Sequence, residues 1–186
     1  MKKTILFAIA ITTIIIALIS ISCKKSTGTM KPTLYDSLGG TALVADPMGP
    51  SGTMIEKGRL LIRNIIDSTI FIIAGDTALN GHFTVLLSEV SMNNLTGFMT
   101  LSKNLTDFVA VGTGARDYTY GGKSMVAAHD PARNSRMNGK ADNGDFNAFE
   151  ADLLAGAAKN GVTTSNPALV SVGKLVESLR SQVVQQ

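Results

Sequence analysis

The stretch YGGKSMVAAH runs from Tyr120 to His129 and ends on one of only two histidines in 186 residues. Gly121 and Gly122 break whatever precedes them, Ser124 can cap a helix, and Pro131 stops one just past the histidine. The spacing predicts a very short helix that starts near Lys123 or Ser124 and carries His129 in its last turn. A lone histidine among small apolar residues has three readings: a satisfied core residue, a general base, or a metal ligand.

Working outward, Asp130 to Asp145 is polar and reads as a loop. Phe146, Phe149, Leu153, Leu154 and Ala157 then recur at helical spacing, with Asp142 or Asn143 as cap and Asn160-Gly161 as stop. Asn166 caps a last helix that Pro167 opens, with the stripe Leu169, Val172, Val176, Leu179 and Val183. Upstream, Phe98 to Val111 reads as a helix with Leu101, Leu105, Phe108 and Val109 on one face. Met54 to Ala74 reads as a broadly buried helix, with a strand as the alternative for Ser68 to Ala74. Ala45 to Thr53 holds two prolines and two glycines and reads as loop. Leu34, Tyr35 and Leu38 make a short helix closed by Gly39-Gly40, and no internal repeat is visible.

The N-terminus belongs to a different class. Met1 to Lys3 is positive, and Thr4 to Ser22 carries no charge and is rich in Ile, Ala and Leu. That is the layout of a bacterial secretory signal, although its length also approaches the ~20 residues of a membrane span. Cys23 is the single cysteine and sits at the end of the apolar run. Its surroundings resemble a bacterial lipoprotein lipobox, with Ser20 where leucine is usual, so Cys23 is the expected lipidation site and acyl burial the expected membrane anchor. The expected organisation is a signal peptide over 1–22, a tether over 23–33 and one domain over 34–186. One cysteine leaves no internal disulfide and no Cys-rich metal site. The net charge is +3, of which Lys2 and Lys3 supply two, and the chain has no Trp. Neither balance nor aromatic content suits a nucleic-acid partner.

Several motifs dissolve on inspection. Gly144 and Glu150 have the spacing of a calcium loop, but Gly139 and Ala141 occupy the first and third ligand positions. Asn94-Leu95-Thr96 and Asn104-Leu105-Thr106 fit a glycosylation pattern that a bacterial lipoprotein has no use for. Gly112 to Ala115 follows a helix rather than a strand, which weakens a nucleotide-binding reading. A zinc site would need three or four protein ligands. Haem iron needs one, because the porphyrin supplies four.

Three segments together resemble the truncated (two-over-two) globins, nearest their group I. They are LYDSLGG from Leu34, LSKNLTDFVAVGTGA from Leu101, and the Tyr120-to-His129 run, which matches the family's Tyr-x-Gly-(Lys/Arg)-x-Met-x-x-x-His. The resemblance covers roughly Leu34 to Gln186. It implies an all-α, two-over-two helical sandwich with loops inserted near Ala45–Thr53 and Ser88–Gly97. It implies haem b, with His129 as proximal iron ligand and Lys123 reaching a propionate. Tyr120 and Met125 would support the proximal side, and Phe108 and Phe83 would pack on the porphyrin. Opposite His129, Leu101 and Leu105 stand where the family often has glutamine, and Ile70 or Phe71 where it often has tyrosine. Such a face cannot donate a hydrogen bond, so dioxygen would be weakly held and quickly released. His82 reads as an exposed residue beside Phe83, or as a sixth ligand if the chain turns it inward. The function implied is reversible binding of dioxygen or nitric oxide at the cell envelope, with an unidentified electron donor. Two alternatives are a haem enzyme, either nitric oxide dioxygenase or peroxidase-like, and a haem-less interaction lipoprotein.

Overall fold

The computed structural model describes residues 31–186. The apolar segment, Cys23 and most of the tether lie outside the described residues.

Helix α1 (Leu34–Ser37) opens on a reciprocal cap: the Thr33 hydroxyl accepts from the Asp36 N–H, and the Asp36 carboxylate accepts from the Thr33 N–H. Gly39 and Gly40 end it at φ of 123° and 61°, values only glycine takes without strain. A two-stranded antiparallel hairpin follows, β1 (Leu43–Ala45) against β2 (Met54–Glu56). The turn between them is the Pro/Gly stretch read as an inserted loop. Its flanking strands are three residues each and too short to leave an alternation in the sequence.

Helix α2 (Lys57–Gly75) is the central element. Its Ile62, Ile65, Ile66, Ile70 and Ile73 are all buried. The helix reading of this β-branched run prevails because those positions fall on one stripe that two partners cover. A 3-10 turn (Asn80–Phe83) leads into α3 (Thr84–Ser91), and α4 (Thr96–Gly112) follows after Asn93, which takes a left-handed φ of 60°. Then come α5 (Met125–His129), α6 (Asn143–Lys159), α7 (Pro167–Glu177) and α8 (Arg180–Val183). The last stripe expected from sequence is therefore broken at Ser178, and Leu179 and Val183 belong to the turn and short helix beyond it.

Helix α2 packs on both α4 and α6, and α6 packs on α7. This is two helix pairs stacked face to face. The shared core joins the α2 isoleucines to Phe146, Leu153 and Ala157 of α6 and to Leu169, Val172 and Val176 of α7. Each buried Ile, Leu, Val or Phe of this set is worth about 1.5–3 kcal/mol. Asp142 caps α6 with Asp145 in a second reciprocal box, which is the use the rejected calcium loop makes of its acids. The end of the chain returns to α5: Gln185 donates from its backbone to Ala141 and from its side chain to the Val126 carbonyl.

Candidate functional site

Helix α5 is five residues long and forms as the sequence dictates. The Ser124 hydroxyl accepts from the Ala127 N–H. Pro131 forces Asp130 into extended backbone, at φ −93° and ψ 112°, so the helix ends on His129. The returning loop then ties the open end, with the Asn134 amide donating to the Ala128 carbonyl at 2.7 Å.

His129 Nδ1 lies 2.9 Å from the Met125 carbonyl one turn back. A carbonyl can only accept, so Nδ1 carries the proton and Nε2 is left as a lone pair. No hydrogen bond among the described residues engages Nε2. Burial holds the imidazole below its ordinary pKa, the Met125 bond partly opposes this, and nearby His82 adds to it. The result is a half-buried, neutral imidazole with its tautomer fixed, which is how proteins present histidine to a metal.

His129 stands on the wall of a cavity of about 690 Å3. The size falls within the ~300–1,000 Å3 typical of cofactor pockets. The structure brings every haem-pocket candidate named from the sequence to the lining of this one cavity: Tyr120, Lys123, Met125 and His129 from the α5 region, Leu101, Leu105 and Phe108 from α4, and Phe83 from the 3-10 turn. Ile70 and Phe71 also line it, and the two differ sharply. Ile70 is buried, whereas Phe71 is 66% exposed and leans on Phe98 with ring centroids 5.2 Å apart.

The His129 end of the cavity is braced by aromatic and backbone contacts. Tyr120 meets Phe108 edge-on, with centroids 5.2 Å apart, and its hydroxyl donates to the Lys123 carbonyl. The Lys123 ammonium donates to the Arg133 carbonyl at 2.6 Å and sits 3.4 Å from the Asn134 side-chain oxygen. Lys123 therefore holds the loop after His129 as well as facing the cavity.

His82 corrects both sequence readings. It lies on the cavity wall with a side chain only 16% exposed. Its Nδ1 donates to the Asn138 carbonyl at 2.7 Å, and Nε2 lies 3.1 Å from the Asp145 carboxylate. With both nitrogens facing acceptors, His82 is a strut between the 3-10 turn, the loop and the start of α6. Neither an exposed side chain nor an iron-ready lone pair describes it.

Sequence reasoning missed five polar members of the lining: Thr100, Asn104, Asn134, Arg136 and Asp145. Asn104 immediately precedes Leu105 on α4, and Asn134 and Arg136 come from the loop after His129. The lining from α4 is thus apolar at Leu101 and Leu105 but carries an amide beside them. Their signal was present only as i−1 and i+3 neighbours of apolar positions, and a single sequence cannot say which edge of a stripe faces a hollow. Arg136 makes a bidentate pair with Glu89, both bonds 2.7 Å.

On the far face of α4 lies a charged cluster that sequence did not suggest. Asp107 accepts from Arg59 at 2.6 Å and from Lys103 at 2.6 Å. Burial alone would raise the Asp107 pKa, but the two cations hold it below the ordinary carboxylate range. The Arg59 guanidinium stacks 4.2 Å from the Tyr118 ring centroid, and the Tyr35 hydroxyl donates to Glu56 nearby in the chain's first turn and hairpin.

No protein-family model and no curated protein sequence matches the chain. Solved structures do. Two mutants of a truncated hemoglobin from Tetrahymena pyriformis, both in the Fe(III) form, match it with a TM-score of 0.56 and 19% sequence identity. Each match covers 83% of this chain and all of that protein's, 100%. An identity of 19% carries the architecture and nothing finer, and the fold of this chain is that of the truncated globins.

Proposed function

We propose that the protein is a haem b globin that reversibly binds a diatomic gas, dioxygen or nitric oxide. One observation carries the reading: His129, its tautomer set by Met125, presents an unengaged Nε2 on the wall of an apolar cavity of cofactor size. The residues fit the group. A porphyrin fills four iron positions itself, so one protein ligand in an apolar chamber is the complete requirement. When bound, haem supplies an iron position for a gas molecule.

The chain's residues divide the remaining work. His129 would hold the iron through its free Nε2. Met125 orients it through the backbone, and Tyr120 against Phe108 spans from the loop to α4. Lys123 would donate to a carboxylate of the group, and its three ammonium protons would let it do so while holding Arg133. Phe83, Leu101 and Leu105 exclude water from the gas side. We further propose that Cys23 is lipidated and tethers the domain to the bacterial envelope, supported by the charge and hydropathy layout of residues 1–23. Gas binding is favoured over turnover because acid–base groups assist oxygen–oxygen cleavage, and α4 lines the cavity with Leu101, Leu105, Phe108 and the non-titrating Thr100 and Asn104.

The test is the visible spectrum of the purified chain with added haemin. A Soret band in the wild type that is lost or strongly shifted in His129→Ala supports the reading. A wild type that leaves haemin unbound removes it.

A further inference from the structure

Arg136 belongs to the loop after His129 and lines the cavity. Its two terminal nitrogens meet the two Glu89 oxygens in a parallel fork, 2.7 Å each, across 47 residues of sequence. The pair lies over Gly97 in the first turn of α4. A Cβ on residue 97 would collide with a Glu89 oxygen and stand 2.6 Å from Arg136 Nη1. The seat exists because position 97 has no side chain.

Three features distinguish this pair from an ordinary surface bridge. The guanidinium is already posed for bidentate capture of a carboxylate, the arrangement arginine makes best. It is also exchangeable, since the Arg136 side chain is 48% exposed, so water and ions compete for it. Finally, it stands on the wall of an apolar chamber whose other lysine or arginine side chain among the described residues, Lys123, can meet only one of the two carboxylates a haem carries. Glu89, only 17% exposed, holds the guanidinium from the side of α3.

We infer that Arg136 is a carboxylate clamp for the anionic edge of the porphyrin, with Glu89 holding the fork in place until a propionate takes it over. The inference rests on the haem reading of the cavity. The exchange moves no bond beyond ionic hydrogen bonds: one carboxylate leaves the guanidinium and another takes its place.

The experiment measures loss of haemin from the full chain to excess apomyoglobin, alongside loss of haemin dimethyl ester, which has no free carboxylate. Arg136→Gln should speed haemin loss about two- to fivefold, the scale of one partly exposed ion pair. The same variant should leave loss of the ester unchanged. Arg136→Lys, which keeps the charge without the fork, should fall between. Glu89→Gln should retain haemin at least as long as the wild type, because a competitor is gone. Equal loss from Arg136→Gln and wild type overturns the clamp while leaving the haem reading standing. Faster loss from both Arg136→Gln and Glu89→Gln, with both forms of haemin, overturns it in favour of a simple strap. Failure of the wild type to take up haemin overturns the underlying reading and the clamp together.

Discussion

The two faces of α4 are built by opposite rules. Toward the cavity it presents Leu101, Leu105 and Phe108, each only partly buried because the space before them is hollow. On another face it carries Ser102, Thr106, Asp107 and Ala110, all buried. There Ser102 donates to Asp67, and Asp107 holds two cations. Asp107 cannot leave the packed face without stranding the charge of Arg59. Little on the hollow face is stranded by change. One helix therefore separates the residues that hold the fold from those that hold a ligand, and substitutions on the two faces should fail in different ways.

The largest effect belongs to the packed face. Asp107→Ala leaves Arg59 and Lys103 without their carboxylate, and Arg59 already has one buried nitrogen, Nη1, with no partner. Breaking a buried pair from one side costs about 3–5 kcal/mol. Urea denaturation of the haem-free chain should show that loss, while the haemin spectrum of the surviving folded protein stays as in the wild type. The double change Arg59→Met with Asp107→Leu should recover much of the stability, because it removes both charges. A haemin spectrum altered by Asp107→Ala would break the separation of the two faces.

Next comes the closest approach of the two helix pairs. A Cβ on Gly156 of α6 would collide with the Thr69 hydroxyl and lie 3.0 Å from the Thr69 N and 3.1 Å from the Ile65 carbonyl. Backbone atoms cannot turn aside, so Gly156→Ala should destabilise by about 1–3 kcal/mol, as overpacking does. Unlike Asp107→Ala, it should also loosen haemin, since Ile65 and Ile66 line the cavity from the same helix. Stability lost with haemin retention unchanged would mean that α2 bends away from α6 without disturbing the chamber.

How much of this was readable in the sequence follows the same division. The helix stripes, both acidic and amide caps, and the short α5 were legible because each depends on residues within one or two turns. The Ser124, Asp142 and Asn166 caps all form where spacing placed them. The Tyr120-to-His129 run pointed to the cavity wall because its chemistry is local too: His129 bonds Met125 four residues back. Arg59 with Asp107, Glu89 with Arg136 and His82 with Asp145 were not legible. Each joins residues 47 or more apart, and a charge at such a position looks in sequence like any solvated charge. The hairpin was missed for the opposite reason: its turn was read as loop and Met54–Glu56 as the start of the α2 helix, because three residues per strand carry too little pattern.

On the hollow face the expected change is in ligand handling. Leu105→Gln sets an amide on the wall where sequence and structure both place leucine, and the open cavity has room for it. One hydrogen bond of about 1–1.5 kcal/mol should slow dioxygen release from the haem-loaded protein roughly tenfold. Flash photolysis or stopped-flow mixing measures it. Asn104 provides the control. A wild type that already releases dioxygen slowly, and releases it faster as Asn104→Leu, would place the donor at Asn104 and overturn the apolar account of that wall.

The smallest effect lies outside both faces, where the hairpin joins α2. Arg63 grips Asp46 through both carboxylate oxygens, at 2.7 and 3.2 Å, and the Met48 N–H adds a third bond. The Arg63 side chain, followed by the Met48 amide, holds the Asp46 carboxyl at about 2, against roughly 3.9 in an unfolded chain. A depressed carboxyl contributes stability above its unfolded value and loses it as pH falls toward its folded value. Asp46→Asn should therefore cost about 1 kcal/mol near neutral pH, after discounting for solvent at the hairpin. The gap between variant and wild type should stay level above about pH 5 and close between about pH 4 and 2, because only the wild type has a proton to gain there. Denaturation midpoints along that range measure it. A gap that persists at pH 2 would show that asparagine disturbs the turn itself. Haemin retention that changed with Asp46→Asn would mean that the hairpin, remote from His129 in the chain and absent from the cavity wall, still governs the chamber through α2.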